Sequence, residues 1–195
     1  MIKVIHRVNS IGNLKRVNNE FGVEVDIRSK NNNLILSHDA FSKGQSLKRY
    51  LKYFKHKLII ANIKEEGIED RVIQLFKNHN LKNYLLLDLS YPFLIKLIKK
   101  GFGKKIMGRI SKYESYQNIY KLKDKINWVW IDLITNEIPF NDNTYKMMKK
   151  NKLKLMLVSP ELLGRSKKSI SIIKNNFKKR KYLIDAVCTK HPDLW

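Results

Sequence analysis

The sequence is short of almost everything that staples, spans or hinges a chain. Its 195 residues include one cysteine, Cys188. That excludes an internal disulfide and a cysteine-built metal centre, and it suits a reducing compartment. The four prolines and eight glycines nowhere gather into a linker, so one domain over residues 1–195 is expected. No apolar run approaches the roughly 18 residues of a membrane span. The opening MIKVIHRVNS has neither the apolar stretch nor the cleavage site of a secretory signal. A cytoplasmic location is the expectation. Nucleotide-binding signatures are missing too. GFGKKIMG does not match a P-loop, and no dinucleotide fingerprint follows the first apolar run. Ser159 lacks the G-x-S-x-G elbow of a serine hydrolase. There is no zinc finger and no ribonucleoprotein motif, which makes nucleic acid an unfavoured partner.

Acidic residues are scarce. Asp and Glu total 17 against 40 Lys and Arg, a formal charge of +23. Only eight of the bases are Arg, the better residue for bidentate phosphate recognition. A lysine excess attracts polyanions, among them nucleic acid, anionic lipid headgroups and phosphorylated glycans. Compositional drift is the competing explanation, because the chain is also rich in Asn and Ile.

What the sequence does have is a regular alternation. Short apolar runs stand at Lys3–His6, Val23–Ile27, Leu58–Ile63, Tyr84–Leu89, Lys105–Ile110, Trp128–Leu133, Leu153–Val158 and Ala186–Thr189. Runs of this length suit strands buried on both faces. Leu34–Ser37 reads as a hairpin arm on the second strand. Amphipathic stretches lie between the runs: Ser46–Phe54, Glu69–Lys77, Pro92–Lys100, Asn143–Lys150 and Lys167–Phe177. The segment Lys112–Ile126 is polar and has room for a short helix. Strand–helix alternation predicts an α/β fold of parallel units. Eight main strands predict a compact TIM-type (β/α)8 barrel, with a doubly wound sheet as the alternative. At this length the barrel needs short loops and has no room for a large insertion.

In such a fold the chemistry sits at the C-terminal ends of strands. His6-Arg7 closes the first run. Glu24-Val25-Asp26 lies in the second, and period two puts both carboxylates on one face. Burying two carboxylates without a partner is costly, and a divalent cation, Mg²⁺ or Ca²⁺, is the natural one. His38-Asp39 follows the hairpin arm and supplies a second histidine for acid–base work. Lys64 ends the third run and Asp88 the fourth. Arg109, Asp132, Ser159 and Glu161 take comparable positions, with Asp88, Arg109 and Asp132 as candidate accessory groups. His56 and His79, in Lys- and Asn-rich stretches, read as ordinary surface or core side chains.

The set HR…EVDIR…LILSHD resembles the signature of the glycerophosphodiester phosphodiesterases and their relatives, the phosphatidylinositol-specific phospholipases C and sphingomyelinase D type enzymes. The segments HDAFSKGQSLKRYL, ANIKEEG, LLLDLSYP, WVWIDL, LVSPELLGR and CTKHPDLW resemble a smaller bacterial branch of that superfamily. The resemblance runs from His6 to Pro192 and implies a metal-dependent phosphoric diester hydrolase acting on a glycerol- or inositol-type phosphodiester. It implies that His6 and His38 are the acid–base pair, that Arg7 and Lys64 bind the phosphate, and that Glu24 and Asp26 hold the metal. It also places a third metal ligand at Asn62, where the family usually has a carboxylate. An amide oxygen coordinates a hard cation without bringing charge. Val8 replaces the family's glycine after His-Arg, and Val8–Leu14 lacks its Pro-Glu-Asn, leaving Asn9 or Asn13 to reach the site. These departures keep a second reading open, a binding module for phosphodiesters or polyanions with weak or lost catalysis. On either reading the partner is a phosphodiester, free or linked to a lipid or glycan, and the lysines would hold the protein near an anionic membrane.

Overall fold

The computed structural model describes residues 1–135 and 137–195. The chain divides into two compact units, one of residues 5–101 and one of residues 1–4 with 102–195. Strand β1 (Ile2–Ile5) opens the chain, and α1 (Ile11–Leu14) follows, capped by the Ser10 hydroxyl, which accepts from the Asn13 amide.

In the unit of residues 5–101 the central strand is β2 (Gly22–Lys30). It turns back through Asn31 and Asn32, which both have positive φ, 47° and 58°. Two left-handed residues in a two-residue loop match the twist of a hairpin, and asparagine tolerates that conformation. β3 (Asn33–Leu36) therefore returns antiparallel, with Lys30 opposite Asn33, as the hairpin arm expected from the sequence. A two-residue strand β4 (Gln45–Ser46) adds to β3, also antiparallel. On its other side β2 pairs in parallel with β5 (Leu58–Ile63), and β5 with β6 (Tyr84–Leu87). The sheet is thus mixed, not parallel throughout, because the Asn31–Asn32 turn is too short for a crossover. The helices are α2 (Leu47–Leu51), α3 (Glu69–Asn78) and α4 (Tyr91–Lys99). Val72, Ile73 and Phe76 of α3 are buried at helical spacing.

In the second unit β7 (Met107–Ile110), β8 (Trp128–Ile131), β9 (Lys154–Val158) and β10 (Ala186–Thr189) pair in parallel in chain order, and β1 pairs with β10. The connecting helices are α5 (Tyr116–Tyr120), α6 (Asp142–Lys150) and α7 (Lys168–Lys179). β8 and β10 are buried along their whole length, as two-sided apolar runs require. Among the described residues no helix is long and apolar enough to cross a membrane.

Candidate functional site

β2 builds the site. Val23, Val25 and Ile27 are fully buried on one face, and the alternate residues Glu24 and Asp26 are buried on the other. A strand with hydrocarbon on one side and two inward carboxylates on the other is costly unless those carboxylates are partnered. The chain supplies partners from three directions.

The first is the turn after β1. The Val8 amide donates to the Glu24 carbonyl at 2.8 Å, and the Arg7 amide donates to Glu24 Oε2 at 2.8 Å. Arg7 reaches that position with φ of 53°, a left-handed conformation that few non-glycine residues adopt. His6 Nε2 lies 3.9 Å from Glu24 Oε2. Asn9 then clamps Asp26 at two points. Its Nδ2 donates to Asp26 Oδ2 at 2.8 Å, and its Oδ1 accepts from the Asp26 amide at 2.9 Å. Of the two asparagines considered from the sequence, Asn9 is the one bonded to the site. Asn13 sits in α1, its amide given to Ser10.

The second direction is β5. Its register sets Asn62 opposite Asp26, and the Asn62 Nδ2 donates to Glu24 Oε1 at 3.0 Å. Lys64, just past the strand, brings Nζ to 3.4 Å from Asp26 Oδ1 and 3.5 Å from Asp88 Oδ2. Asp88 ends β6 two residues earlier than the apolar run suggests, because its φ of 61° turns the chain out of the strand.

The third is the segment after β3. His38 Nδ1 lies 3.3 Å from Asp26 Oδ1, and His38 Nε2 lies 2.8 Å from Arg7 Nη2. A guanidinium cannot accept a hydrogen bond, so Nε2 is the acceptor and Nδ1 carries the proton toward Asp26. Asp26 thus orients the ring, and the basic nitrogen points toward the arginine side.

The two carboxylates are electrostatically unequal. Burial and the neighbouring Asp26 charge raise Glu24 to about 7. Asp26 is held below its ordinary value although burial opposes this, because Asn9, Lys64 and His38 together outweigh the desolvation. Beneath them Tyr50 is fully buried, its ionisation pushed up by burial and by the Glu24 charge.

The oxygen donors suit a hard cation. Glu24 and Asp26 contribute two carboxylates. Asn62 Oδ1 is buried with no hydrogen-bond partner, an uncommitted oxygen that a cation would satisfy. No group of three His, Cys, Asp or Glu side chains able to hold a metal occurs among the described residues. The oxygen that could join the two carboxylates is the uncharged amide of Asn62.

One structural residue was not given a role from the sequence. Arg28 shares the Glu24–Asp26 face of β2, and its Nε donates to the His38 carbonyl at 3.1 Å while Nη1 donates to the Lys64 carbonyl at 2.9 Å. The signal was present, since Arg28 continues the period-two row of EVDIR. Arg109 and Asp132 lie in the other unit, where Arg109 Nη1 donates to Asp132 Oδ2 at 3.4 Å. His56 is a buried core histidine with Nε2 against the Val17 carbonyl at 3.1 Å, and His79 caps the C-terminus of α3.

No protein-family model matches this sequence, and no curated protein matches it. Solved structures do. A glycerophosphoryl diester phosphodiesterase from Parabacteroides distasonis aligns with a TM-score of 0.70 at 11% identity, covering 99% of this chain and 84% of that one. A glycerophosphodiester phosphodiesterase from Agrobacterium tumefaciens aligns with a TM-score of 0.67 at 13% identity, over 99% and 96% of the two chains. A Galdieria sulphuraria protein assigned to the same activity gives 0.69 at 13%, over 99% and 95%. The chain therefore has the α/β fold of the glycerophosphodiester phosphodiesterases.

Proposed function

We propose that this protein is a metal-dependent phosphoric diester hydrolase that cleaves a glycerol- or inositol-type phosphodiester. One observation carries the reading. His38 is fixed between Asp26 and Arg7, beside a buried carboxylate pair and a lysine, within one compact unit. Fold likeness to glycerophosphodiester phosphodiesterases supports the same chemistry. The reading includes the closed (β/α)8 barrel, whose catalytic groups gather at the strand ends.

In this mechanism the Arg7 guanidinium and the Lys64 ammonium bind the phosphodiester oxygens and take up the charge that grows on them. Substrate phosphate displaces the Arg7 contact from His38 Nε2 and frees that nitrogen. His38 then removes the proton from the nucleophile, either water or a neighbouring substrate hydroxyl, and Asp26 stabilises the imidazolium. His6 gives its proton to the leaving alkoxide. Attack by a neighbouring hydroxyl releases a cyclic phosphate, and attack by water a monoester. Glu24, Asp26 and Asn62 would hold Mg²⁺ or Ca²⁺, which when bound supplies further charge for the phosphoryl oxygens.

The test is turnover of glycerophosphodiesters and of bis(p-nitrophenyl) phosphate by purified protein, with Mg²⁺, with Ca²⁺ and with EDTA. Cation-dependent hydrolysis abolished by His6→Ala supports the proposal. Hydrolysis indifferent to both EDTA and His6→Ala removes it. Asn62 motivates a second reading, a phosphodiester-binding module without turnover. Cation binding with no product from either substrate would favour that reading.

A further inference from the structure

The lysines are not spread evenly over the fold. In the unit of residues 1–4 and 102–195, the parallel strands β8, β9 and β10 all start on one edge. The connections leading into those starts read KLKDK over 121–125, KKNKLK over 149–154 and KKRK over 178–181. These strings hold eleven basic residues and one acid, Asp124. Nine of the eleven are exposed. The segments that follow the strand ends, 111–115, 132–137, 159–165 and 190–193, hold three bases and five acids. The unit of residues 5–101 has the same polarity by itself. Lys52, Lys55 and Lys57 precede β5, Lys77 and Lys82 precede β6, and the carboxylate–histidine site lies at the opposite, strand-end edge.

Drift in composition would scatter lysines over both edges. The helix dipole favours cations in a last helical turn, which accounts for Lys149, Lys150, Lys178 and Lys179. It does not account for Lys152, Lys154 and Lys181, which lie beyond the helix ends. Ion pairing removes little of the field: Lys149 meets Asp185 at 2.7 Å and Arg180 meets Asp142 at 3.4 Å.

An apolar side chain stands in this field. Tyr182 is buried, its ring stacked on Tyr145 at 4.3 Å between centroids. The next residue, Leu183, donates its amide to the Tyr145 hydroxyl at 2.7 Å, yet is 74% exposed. Its backbone is fixed, and its side chain points into solvent two residues after KKRK.

We propose that the strand-start edge of the unit of residues 1–4 and 102–195 docks the protein on an anionic lipid surface, with the lysines facing headgroup phosphates and Leu183 entering the acyl boundary. Ten of the eleven bases are lysine, point charges suited to a diffuse negative surface, not the planar forks that read bases. A phosphate backbone offers Leu183 no apolar partner, and a bilayer does. The docking claim stands without the catalytic reading.

The experiment is co-sedimentation of the full chain with vesicles of phosphatidylglycerol and phosphatidylcholine, against phosphatidylcholine alone, over a salt series. The variant Lys150→Glu/Lys152→Glu/Lys181→Glu is compared with Lys167→Glu/Lys168→Glu/Lys190→Glu, which changes net charge equally away from that edge. Thermal unfolding checks that both remain folded. Binding to the anionic vesicles is expected to fall on the order of a hundredfold or more in the first variant. It should change only a few-fold in the second and weaken several-fold in Leu183→Ser. Equal losses in both triple variants would overturn the proposal, since net charge alone would then explain binding. So would failure to bind anionic vesicles at low salt. Tighter binding of a duplex RNA probe than of vesicles, lost in the first variant, would reassign the edge to nucleic acid.

Discussion

His38 Nδ1 lies 3.3 Å from Asp26 Oδ1, on a carboxylate that a two-point clamp from Asn9 holds in place. The imidazole is thereby aimed by a group buried in the sheet and offers its other nitrogen outward. A histidine held this way has one proton-accepting face and one fixed tautomer, which general-base chemistry requires.

The first prediction concerns that pair. His38→Ala should lower kcat by about 10²–10⁴-fold. Asn9→Ala should lower it less and should also reduce stability, because it removes one hydrogen bond accepted by the buried Asp26 carboxylate and one donated by the Asp26 backbone amide. Steady-state kinetics and denaturant unfolding on both variants distinguish a group that handles protons from one that only positions.

Asn62→Asp tests the proposed cation site. The substitution adds a third carboxylate beside Glu24, whose partner at 3.0 Å is now the Asn62 amide. In EDTA the variant should melt below the wild type, since three buried carboxylates repel. With Mg²⁺ or Ca²⁺ it should recover and bind the ion more tightly, by roughly tenfold or more from the added ligand charge. Calorimetric titration reads the affinity. Unchanged affinity together with an unchanged melting temperature would remove Asn62 from the site.

Arg28 ties the His38 and Lys64 segments together through their carbonyls. Arg28→Ala should cost about 1–3 kcal/mol of stability for the two abandoned acceptors. It should also lower kcat at temperatures where the variant is fully folded. Arg28→Lys should restore only part of this, because one ammonium cannot span two carbonyls set for a guanidinium fork. Full rescue by lysine would show that charge alone matters there.

His56 predicts a pH dependence of stability. Burial lowers its pKa below the ordinary 6.5 despite hydrogen bonds to the Val17 and Leu14 carbonyls. A depressed pKa means that the unfolded chain takes up a proton more readily than the folded one. The stability His56 contributes is therefore complete above about pH 6.5 and is lost as pH falls through the folded value. His56→Gln should flatten this part of the profile in denaturant unfolding between about pH 7 and 5. An identical slope in wild type and variant would contradict it.

Much of this was legible in the residues, and the exceptions have physical reasons. Strand β5 over Leu58–Ile63 was read to the residue, because six apolar or amide residues between Lys57 and Lys64 leave no other boundary. β2 runs on to Lys30, past the expected Ile27, since Arg28 and Lys30 lie in a hairpin whose polar residues hide the strand. β4 is two residues long and has no pattern to detect. His6, Arg7, Glu24, Asp26, His38 and Lys64 were named from strand ends and alternation and Asn62 from the family resemblance, and the structure brings them together in one unit. The Asn9 clamp was one of two options, because reach across 17 positions depends on the left-handed turn at Arg7, which no local pattern announces. Arg28 was visible as a residue, but its two carbonyl partners belong to segments that only the fold juxtaposes.

The proposed activity of this site is phosphodiester hydrolysis. The most direct measurement is release of the alcohol from glycerophosphodiesters by the wild type and by His38→Ala, each with Mg²⁺ or Ca²⁺ and each with EDTA. Cation-dependent release by the wild type is expected, together with its loss in the variant and in EDTA. Equal release by the folded variant, or no release by the wild type across the glycerophosphodiesters with either cation, would contradict it.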